Sequence, residues 1–324
     1  MYKGSARAYT NIALIKYWGK KNEELILPMN NSLSLTLDAF YTETTVTFDP
    51  QQDGDRFLLD GVPQDEKATQ KISRFLDFAR KKAQVNWGAV VDSRNFVPTA
   101  AGLASSASGL AALAAASNAA LKLNLDDRGL SRLARRGSGS ACRSLFPGFV
   151  EWEQGEDDET SFAQQVFSND WEQDLAMLFV LINDQQKDVS SRDGMRRTVA
   201  TSSFYPGWLA SVPSDLAQAK SAIATQDFTA LGEVTEANGL KMHATTLGAV
   251  PPFTYWSPDS LVAMNLVRQL RQTGLECYFT MDAGPNVKVL CQRKDEEALK
   301  QAFSQQFAPE RLILSHAGPG ASVI

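Results

Sequence analysis

Between residues 97 and 109 the chain reads Val-Pro-Thr-Ala-Ala-Gly-Leu-Ala-Ser-Ser-Ala-Ser-Gly, and this stretch restricts the fold more than any other. Ahead of it, residues 87–91 form a short apolar run with strand character. Behind it, residues 110–121 are almost wholly alanine and leucine, the strongest helix formers. A strand, a small-residue loop and a long helix therefore follow one another. Residues 103–121 predict a helix of roughly 28 Å at 1.5 Å per residue. The first turn of such a helix leaves N–H groups unpaired and carries partial positive charge, which suits an anion. Pro98 stiffens the approach, Gly102 permits a close phosphate-wrapping turn, and Ser105, Ser106 and Ser108 add hydroxyls. The pattern is not a P-loop, because no Gly-Lys-Ser/Thr follows the glycine. By residue type alone it also suits an alanine-rich core helix packed closely through small side chains.

At 324 residues the chain can form two domains with substantial cores, and 44% hydrophobic with 21% charged residues is an ordinary globular balance. A net charge of −5 argues against a dedicated nucleic-acid binder. Basic residues cluster only at 132–136 and 192–197, where a small anion and a solvated helix face are the alternatives. No apolar run approaches the roughly 20 residues of a membrane span, and no signal-peptide core follows Met1. Cys142, Cys277 and Cys291 are odd in number and lack paired spacing, so reduced thiols and a cytoplasmic location are expected. His243 and His316 lie far apart, which argues against a histidine-centred metal site or a Ser-His-Asp hydrolase.

Several other segments carry chemistry. Lys16 and Lys20 flank Tyr17-Trp-Gly, so two ammonium groups can converge on one anion beside a phenol; a surface turn with solvated lysines has the same spacing. Alternation over residues 33–48 predicts a half-buried strand, and residues 67–83 and 126–136 predict helices. Gly137-Ser-Gly-Ser-Ala-Cys-Arg-Ser144 surrounds a guanidinium with hydroxyls, a fitting partner for a planar carboxylate, although a flexible linker reads similarly. Residues 154–160 are polar and acidic and are expected to be a disordered loop. After an apolar strand at 174–183, a domain boundary falls near Lys187, and Asp188 or Ser190 caps the next helix. Helix-like stretches at 214–225, 228–246, 258–273 and 296–307 alternate with strand-like ones at 275–281, 287–291 and near Leu312, which suits an α+β sandwich. Between two of those strands, Asp282-Ala-Gly-Pro-Asn286 forces a turn.

Taken together, these motifs resemble the mevalonate diphosphate decarboxylase family of the GHMP kinase superfamily. The resemblance is carried by Pro98-x-x-x-Gly-Leu-Ala-Ser-Ser-Ala-Ser108, with Ala104 where the superfamily more often has glycine. It continues in Asn11-Ile-Ala-Leu-Ile-Lys-Tyr-Trp-Gly-Lys20, Asn30-Asn-Ser-Leu-Ser34, residues 137–144, Asp188-Val-Ser-Ser-Arg-Asp-Gly-Met195 and Asp282-Ala-Gly-Pro-Asn286, and spans residues 6 to about 320. It implies an α+β, two-domain GHMP-kinase-like fold. Residues 1–186 would form an N-terminal ATP-binding domain like ribosomal protein S5 domain 2, and residues 187–324 a ferredoxin-like α/β sandwich, with the site between them.

The resemblance further implies ATP-dependent decarboxylation of mevalonate 5-diphosphate, with Mg²⁺, by a cytoplasmic homodimer. Gly102, Leu103, Ala104, Ser105, Ser106 and Ser108 would hold ATP, and Ser106 and Ser108 would help place Mg²⁺ through it. Tyr17, Lys20, Ser191 and Arg192 are expected at the substrate's diphosphate, with Ser138, Ser140 and Arg143 on the rest of the substrate and Arg143 on its carboxylate. Asp282 is the expected catalytic carboxylate, oriented by Arg192, with Ser106 as a third catalytic residue. A relative that only phosphorylates mevalonate or uses a monophosphorylated substrate, and a catalytically dead nucleotide- or isoprenoid-sensing module, are the rival readings. Retention of Tyr17, Lys20 and Asp282 weighs against both.

Overall fold

Small and β-branched residues from the second position onward form β1 (Tyr2–Ile15), in a computed structural model that describes residues 1–96, 106–182 and 188–324. The short pair β2 (Lys20–Asn22) and β3 (Leu27–Pro28) follows, then β4 (Ser32–Asp49), β5 (Asp55–Leu59) and β6 (Val62–Pro63). Helix α1 (Glu66–Ala83) leads into β7 (Gly88–Phe96), and then come α2 (Ser106–Ala120), α3 (Asp127–Gly137), β8 (Phe149–Trp152) and β9 (Ala163–Gln165). The remainder contains β10 (Leu175–Val180), α4 (Ser191–Thr201), α5 (Tyr205–Thr225), α6 (Phe228–Leu247) and α7 (Pro258–Gln272). The chain closes with β11 (Cys277–Met281), β12 (Val287–Gln292), α8 (Glu296–Phe303), β13 (Leu312–His316) and β14 (Ser322–Val323).

The first sheet runs β14-β1-β4-β7-β5-β6, with β8 and β9 extending from the near end of β4. Antiparallel pairing of β1 with β4 is interrupted between Tyr9 and Asn11 and again between Ala13 and Ile15. Such irregularities bend a strand and re-aim its side chains, and here they bracket Asn11 and precede Lys16. Helix α2 lies on β1, and Gly4 is what lets it approach. A Cβ at Gly4 would stand 2.3 Å from the Ala116 carbonyl oxygen and 2.6 Å from the Ala120 nitrogen. The alanines of α2 pack with Val46, Phe48, Phe75 and Leu133 into one core.

The second sheet, β11-β12-β10-β13, is antiparallel throughout. Alternate residues of β10 serve two cores, which explains its unbroken apolar run. Ala176, Leu178 and Val180 face the side covered by α7 and α8, packing with Met264, Val267, Leu299 and Phe303. Met177 and Phe179 face a core that includes α5 and α6 and also Leu14, Leu35 and Phe40 of the first sheet. The two halves therefore share hydrophobic packing, as in the edge-to-face contact of Phe40 with Phe179 at 4.8 Å.

Three expectations change. A division at 186/187 leaves β10 in the N-terminal domain, whereas its hydrogen bonds to β12 and β13 place it in the second sheet. The acidic stretch 154–160 is an ordered turn: Asp157 caps Thr160, and Asp158 pairs with Arg132, Arg135 and Arg136 of α3. That pairing also accounts for the basic cluster at 132–136, whose charges are met inside the fold. Helix α5 begins nine residues earlier than the expected 214 because Pro206 occupies its first turn, where a missing N–H is harmless, and Pro213 is carried inside it. Buried Tyr205 and Trp208 anchor these early turns.

Candidate active site

Where the two sheets approach each other, a cleft of about 240 Å³ is lined by the irregular end of β1, the first turn of α2, the turn before β8, the start of α4 and the β11–β12 turn. Of the residues expected from sequence, Tyr17, Ser106, Ser138, Ser140, Arg143, Ser191 and Asp282 border it, and Asn11, Lys16, Asn286 and Lys288 join them.

Asp282 follows β11 and forms the cleft's charged centre. Lys16 Nζ lies 2.9 Å from its Oδ1 and Lys288 Nζ 3.1 Å from its Oδ2. Both lysine side chains are 3% exposed. The carboxylate is enclosed by protein yet faces the open cleft, so 40% of its side chain remains accessible. Burial favours its protonation, but the two ammonium groups outweigh burial and hold the carboxyl well below the usual carboxylate range. Burial likewise lowers Lys16, against the opposing pull of Asp282. The Lys16 backbone is pinned on both sides: its N–H donates to Asn238 Oδ1 at 2.8 Å and its carbonyl accepts from Asn30 Nδ2 at 2.8 Å. Behind Asp282, His243 lies 3.3 Å from the Met281 carbonyl through Nε2, and burial pushes it down to about 4, so it is neutral near pH 7.

Arg143 is 2% exposed and has no carboxylate within ion-pair distance among the described residues. Its Nη1 donates to Ser32 Oγ at 2.6 Å and its Nε to Asn11 Oδ1 at 3.3 Å. Asn11 is itself fixed by Ser140 O and Ser144 Oγ. Burial lowers the Arg143 pKa, the usual response of a cation without its anion. Ser138 and Ser140 lie 3.3 Å apart through their hydroxyls on the same turn. Tyr17 packs edge-on against Trp152, and its buried hydroxyl has no hydrogen-bond partner among the described residues. Gly139 is required for that contact, since a Cβ there would be 2.7 Å from Trp152. Cys142 beside Arg143 is a packing residue: it is buried, donates to Gly139 O at 2.9 Å, and burial pushes its thiol up to about 12.

On the phosphate-loop side, Gly102, Leu103, Ala104 and Ser105 lie outside the described residues. Ser106 is the first residue of α2 and borders the cleft, where the helix terminus supplies partial positive charge. Ser108 points elsewhere: it is fully buried and shares a hydrogen bond of 2.9 Å with Thr42 on β4. Of the two serines expected to help place Mg²⁺, only Ser106 thus borders the cleft. One hydroxyl suits an ion that keeps most of its shell as water and nucleotide oxygens.

Ser191 borders the cleft from the start of α4, whose cap is Ser190, accepting from the Asp193 N–H at 3.1 Å. Arg192, next in that turn, is exposed and does not line the cleft. Among the described residues, the cations paired with Asp282 are the two lysines and not Arg192. Lys20 sits on β2, outside the cleft lining, paired with Glu23 at 2.7 Å.

Lys288 escaped sequence reasoning altogether. Its one local signal is a lysine inside the apolar strand Val-Lys-Val-Leu-Cys, where a buried charge requires a partner. Lys16 was legible as a cation near an anion, but its partnership with Asp282 was not. Asn11 stood within a quoted motif without an assigned task.

A family model described as diphosphomevalonate decarboxylase-like N-terminal domain matches residues 8–163. A second, described as mevalonate 5-diphosphate decarboxylase C-terminal domain, matches residues 177–318. A relative from Ganoderma lucidum named diphosphomevalonate decarboxylase is 37% identical over 330 residues, covering 95% of this chain and 82% of its own length. A solved structure described as MDDEF in complex with MVAPP, AMPPCP and magnesium is 66% identical, with a TM-score of 0.97 over 100% of this chain and 99% of its own. One of the mevalonate diphosphate decarboxylase from Enterococcus faecalis, described by its mevalonate diphosphate mediated ATP binding mechanism, is 65% identical, with a TM-score of 0.96 over the same shares.

Proposed function

The chain belongs to the diphosphomevalonate decarboxylase family, and from that premise we propose that it converts mevalonate 5-diphosphate and ATP to isopentenyl diphosphate, ADP, phosphate and carbon dioxide. The observation that carries this reading is the placement of a buried Arg143, which pairs with no carboxylate among the described residues, in the same cleft as the ionised Asp282. A buried guanidinium without an anion costs free energy until one arrives. Its fork suits the substrate's carboxylate, with Ser138 and Ser140 beside it.

Hydroxide is a poor leaving group, so the substrate's 3-oxygen must first take the γ-phosphoryl group. The phosphate then departs with the C–O bonding pair, while the C–C pair released by carbon dioxide becomes the alkene. Two anionic molecules must be held with the 3-oxygen in line, so positioning and charge compensation dominate. Asp282 accepts the hydrogen bond of the 3-hydroxyl and aligns it. Because the transition state of phosphoryl transfer is loose, removal of that proton comes late. The first turn of α2 and Ser106 meet the nucleotide phosphates. When bound with the nucleotide, Mg²⁺ neutralises charge across its phosphate oxygens. Tyr17 and Ser191 meet the diphosphate within the cleft. Lys20 and Arg192 reach it from the margin, a role that requires their side chains to turn inward on binding. A homodimer in the cytoplasm is part of this reading.

Supplying mevalonate 5-diphosphate and Mg-ATP and following ADP, phosphate and carbon dioxide together tests it. Equal release of all three is expected. ADP without carbon dioxide would make the protein a kinase, and binding without either product would make it a sensing module.

A further inference from the structure

We propose that Lys288 is a positioning residue for this reaction, holding the second oxygen of Asp282 so that the carboxylate meets the substrate's 3-hydroxyl as a fixed, ionised acceptor. The proposal rests on the decarboxylase reading above. One ammonium sits on each oxygen: Lys16 at 2.9 Å on Oδ1 and Lys288 at 3.1 Å on Oδ2. Each lysine is steadied from behind by a backbone carbonyl, Ala13 O at 2.8 Å for Lys16 and Asn286 O at 3.3 Å for Lys288. A single ammonium would leave the carboxylate free to turn about its terminal torsion, which has no sharp preference of its own. Two ammonium groups, one just after β1 and one on β12, define its plane, and each oxygen retains acceptor capacity for the cleft.

Among the described residues, Lys288 is paired with no other carboxylate. It lies between Val287 and Val289, which face the α7–α8 core, and it shares the opposite face of β12 with Leu290. An apolar residue of similar volume packs as well at such a place without the desolvation of an ammonium. The charge is retained at the end of β12 that borders the cleft, beside the carboxylate.

Among the described residues, the charged and titratable groups acting on Asp282 come from four elements. They are Lys16 after β1, Lys288 on β12, Arg143 from the turn before β8, and His243 on α6, which burial keeps neutral near pH 7. Removing Lys288 leaves burial, which favours the protonated acid, opposed chiefly by Lys16. The Asp282 pKa must rise. That of Lys16 must rise too, because Lys288 repels its charge.

The test compares Lys288→Met, Lys288→Gln and Lys288→Arg with wild type in kcat and KM across about pH 5–9. It also follows the ¹³Cγ resonance of Asp282 in substrate-free protein, assigned by its loss in Asp282→Asn. In the Met and Gln variants kcat should fall by at least about ten-fold near pH 7, because a carboxylate held by one ammonium is no longer fixed in its plane. Both KM values should change by less than about three-fold, because truncating Lys288 removes no substrate contact. The Asp282 resonance, followed down to about pH 3, should begin to titrate at a higher pH than in wild type, and Lys288→Arg should restore both readouts. If Lys288→Met does not fold, the Gln variant carries the test. Wild-type kcat in the Met and Gln variants, or a loss of kcat with the Asp282 resonance unchanged from wild type, would overturn the proposal. Failure of the decarboxylase reading is seen separately, as wild type that releases no carbon dioxide, and the resonance still reports whether Lys288 governs Asp282.

Discussion

Tyr17 holds a buried hydroxyl that nothing among the described residues satisfies, packed against Trp152 at the margin of the cleft. An unsatisfied buried donor costs about 1–3 kcal/mol, so its retention argues for a ligand oxygen as the absent partner. Tyr17→Phe is therefore expected to leave the substrate-free protein as stable as wild type, or about 1 kcal/mol more stable. It should raise KM for mevalonate diphosphate by about ten-fold, the worth of one hydrogen bond to a charged group. Thermal unfolding with and without substrate, beside steady-state kinetics, separates the two effects; unchanged KM would remove Tyr17 from the diphosphate side. Most of the cleft's anion-seeking groups were legible in sequence, because hydroxyls, a phenol and a guanidinium beside glycines have a local meaning. Lys288 was not. Its strand reads as ordinary core, and the carboxylate it serves is reached only through the β11–β12 turn.

Helix α2 shows what a single element contributes. Its alanines remove side-chain bulk, Gly4 removes bulk from the strand beneath, and the helix then lies close enough on β1 for Ser106 to border the cleft. A methyl at Gly4 meets two backbone atoms of α2 rather than flexible side chains, so the helix itself must move. Gly4→Ala should cost about 1–3 kcal/mol, the usual penalty of overpacking. Because the displaced helix carries Ser106, KM for ATP should rise more than KM for mevalonate diphosphate. Denaturant unfolding and the two KM values check this, and a wild-type midpoint with unchanged kinetics would show that α2 yields without consequence. The extent of α2 followed from alanine content, and that of β4 from its periodicity. The start of α5 did not, since prolines at 206 and 213 read locally as breaks while buried Tyr205 and Trp208 secure the helix.

For the molecule as a whole, His243 couples stability to pH. It is buried, and burial holds its folded pKa at about 4, below the 6.5 of the unfolded chain. The unfolded state therefore binds more protons between those values, and stability rises with pH through that window. The contribution is complete above about pH 6.5 and is lost as pH falls toward about 4, amounting to about 3 kcal/mol at 1.36 kcal/mol per unit. His243→Gln should flatten the stability profile across that window. Equilibrium unfolding from about pH 4 to 7 reads this directly, and an unaltered slope would assign it to other groups. Asp158 and Asp282, whose pKa values are depressed, add losses as pH falls through the ordinary carboxylate range and below it.

Elements whose cause is local were readable from the residues: alternation in β4, alanine content in α2, the Ser190 cap of α4, and the turn at Gly284-Pro285. Each depends on neighbours a few positions away, whose geometry the backbone dictates. Charge partners obey no such rule. Lys16 and Asp282 are 266 residues apart, and the acidic turn at Asp158 closes on α3 because packing brings the two together. Membership of β10 in the second sheet is a matter of the same kind, since an apolar strand is indifferent to its neighbours until other strands offer their hydrogen bonds. The chain's motifs thus established which chemical groups the protein owns. Close packing of two sheets established which of them share a cleft, and low-dielectric burial there made a carboxylate between two lysines an ionised acceptor.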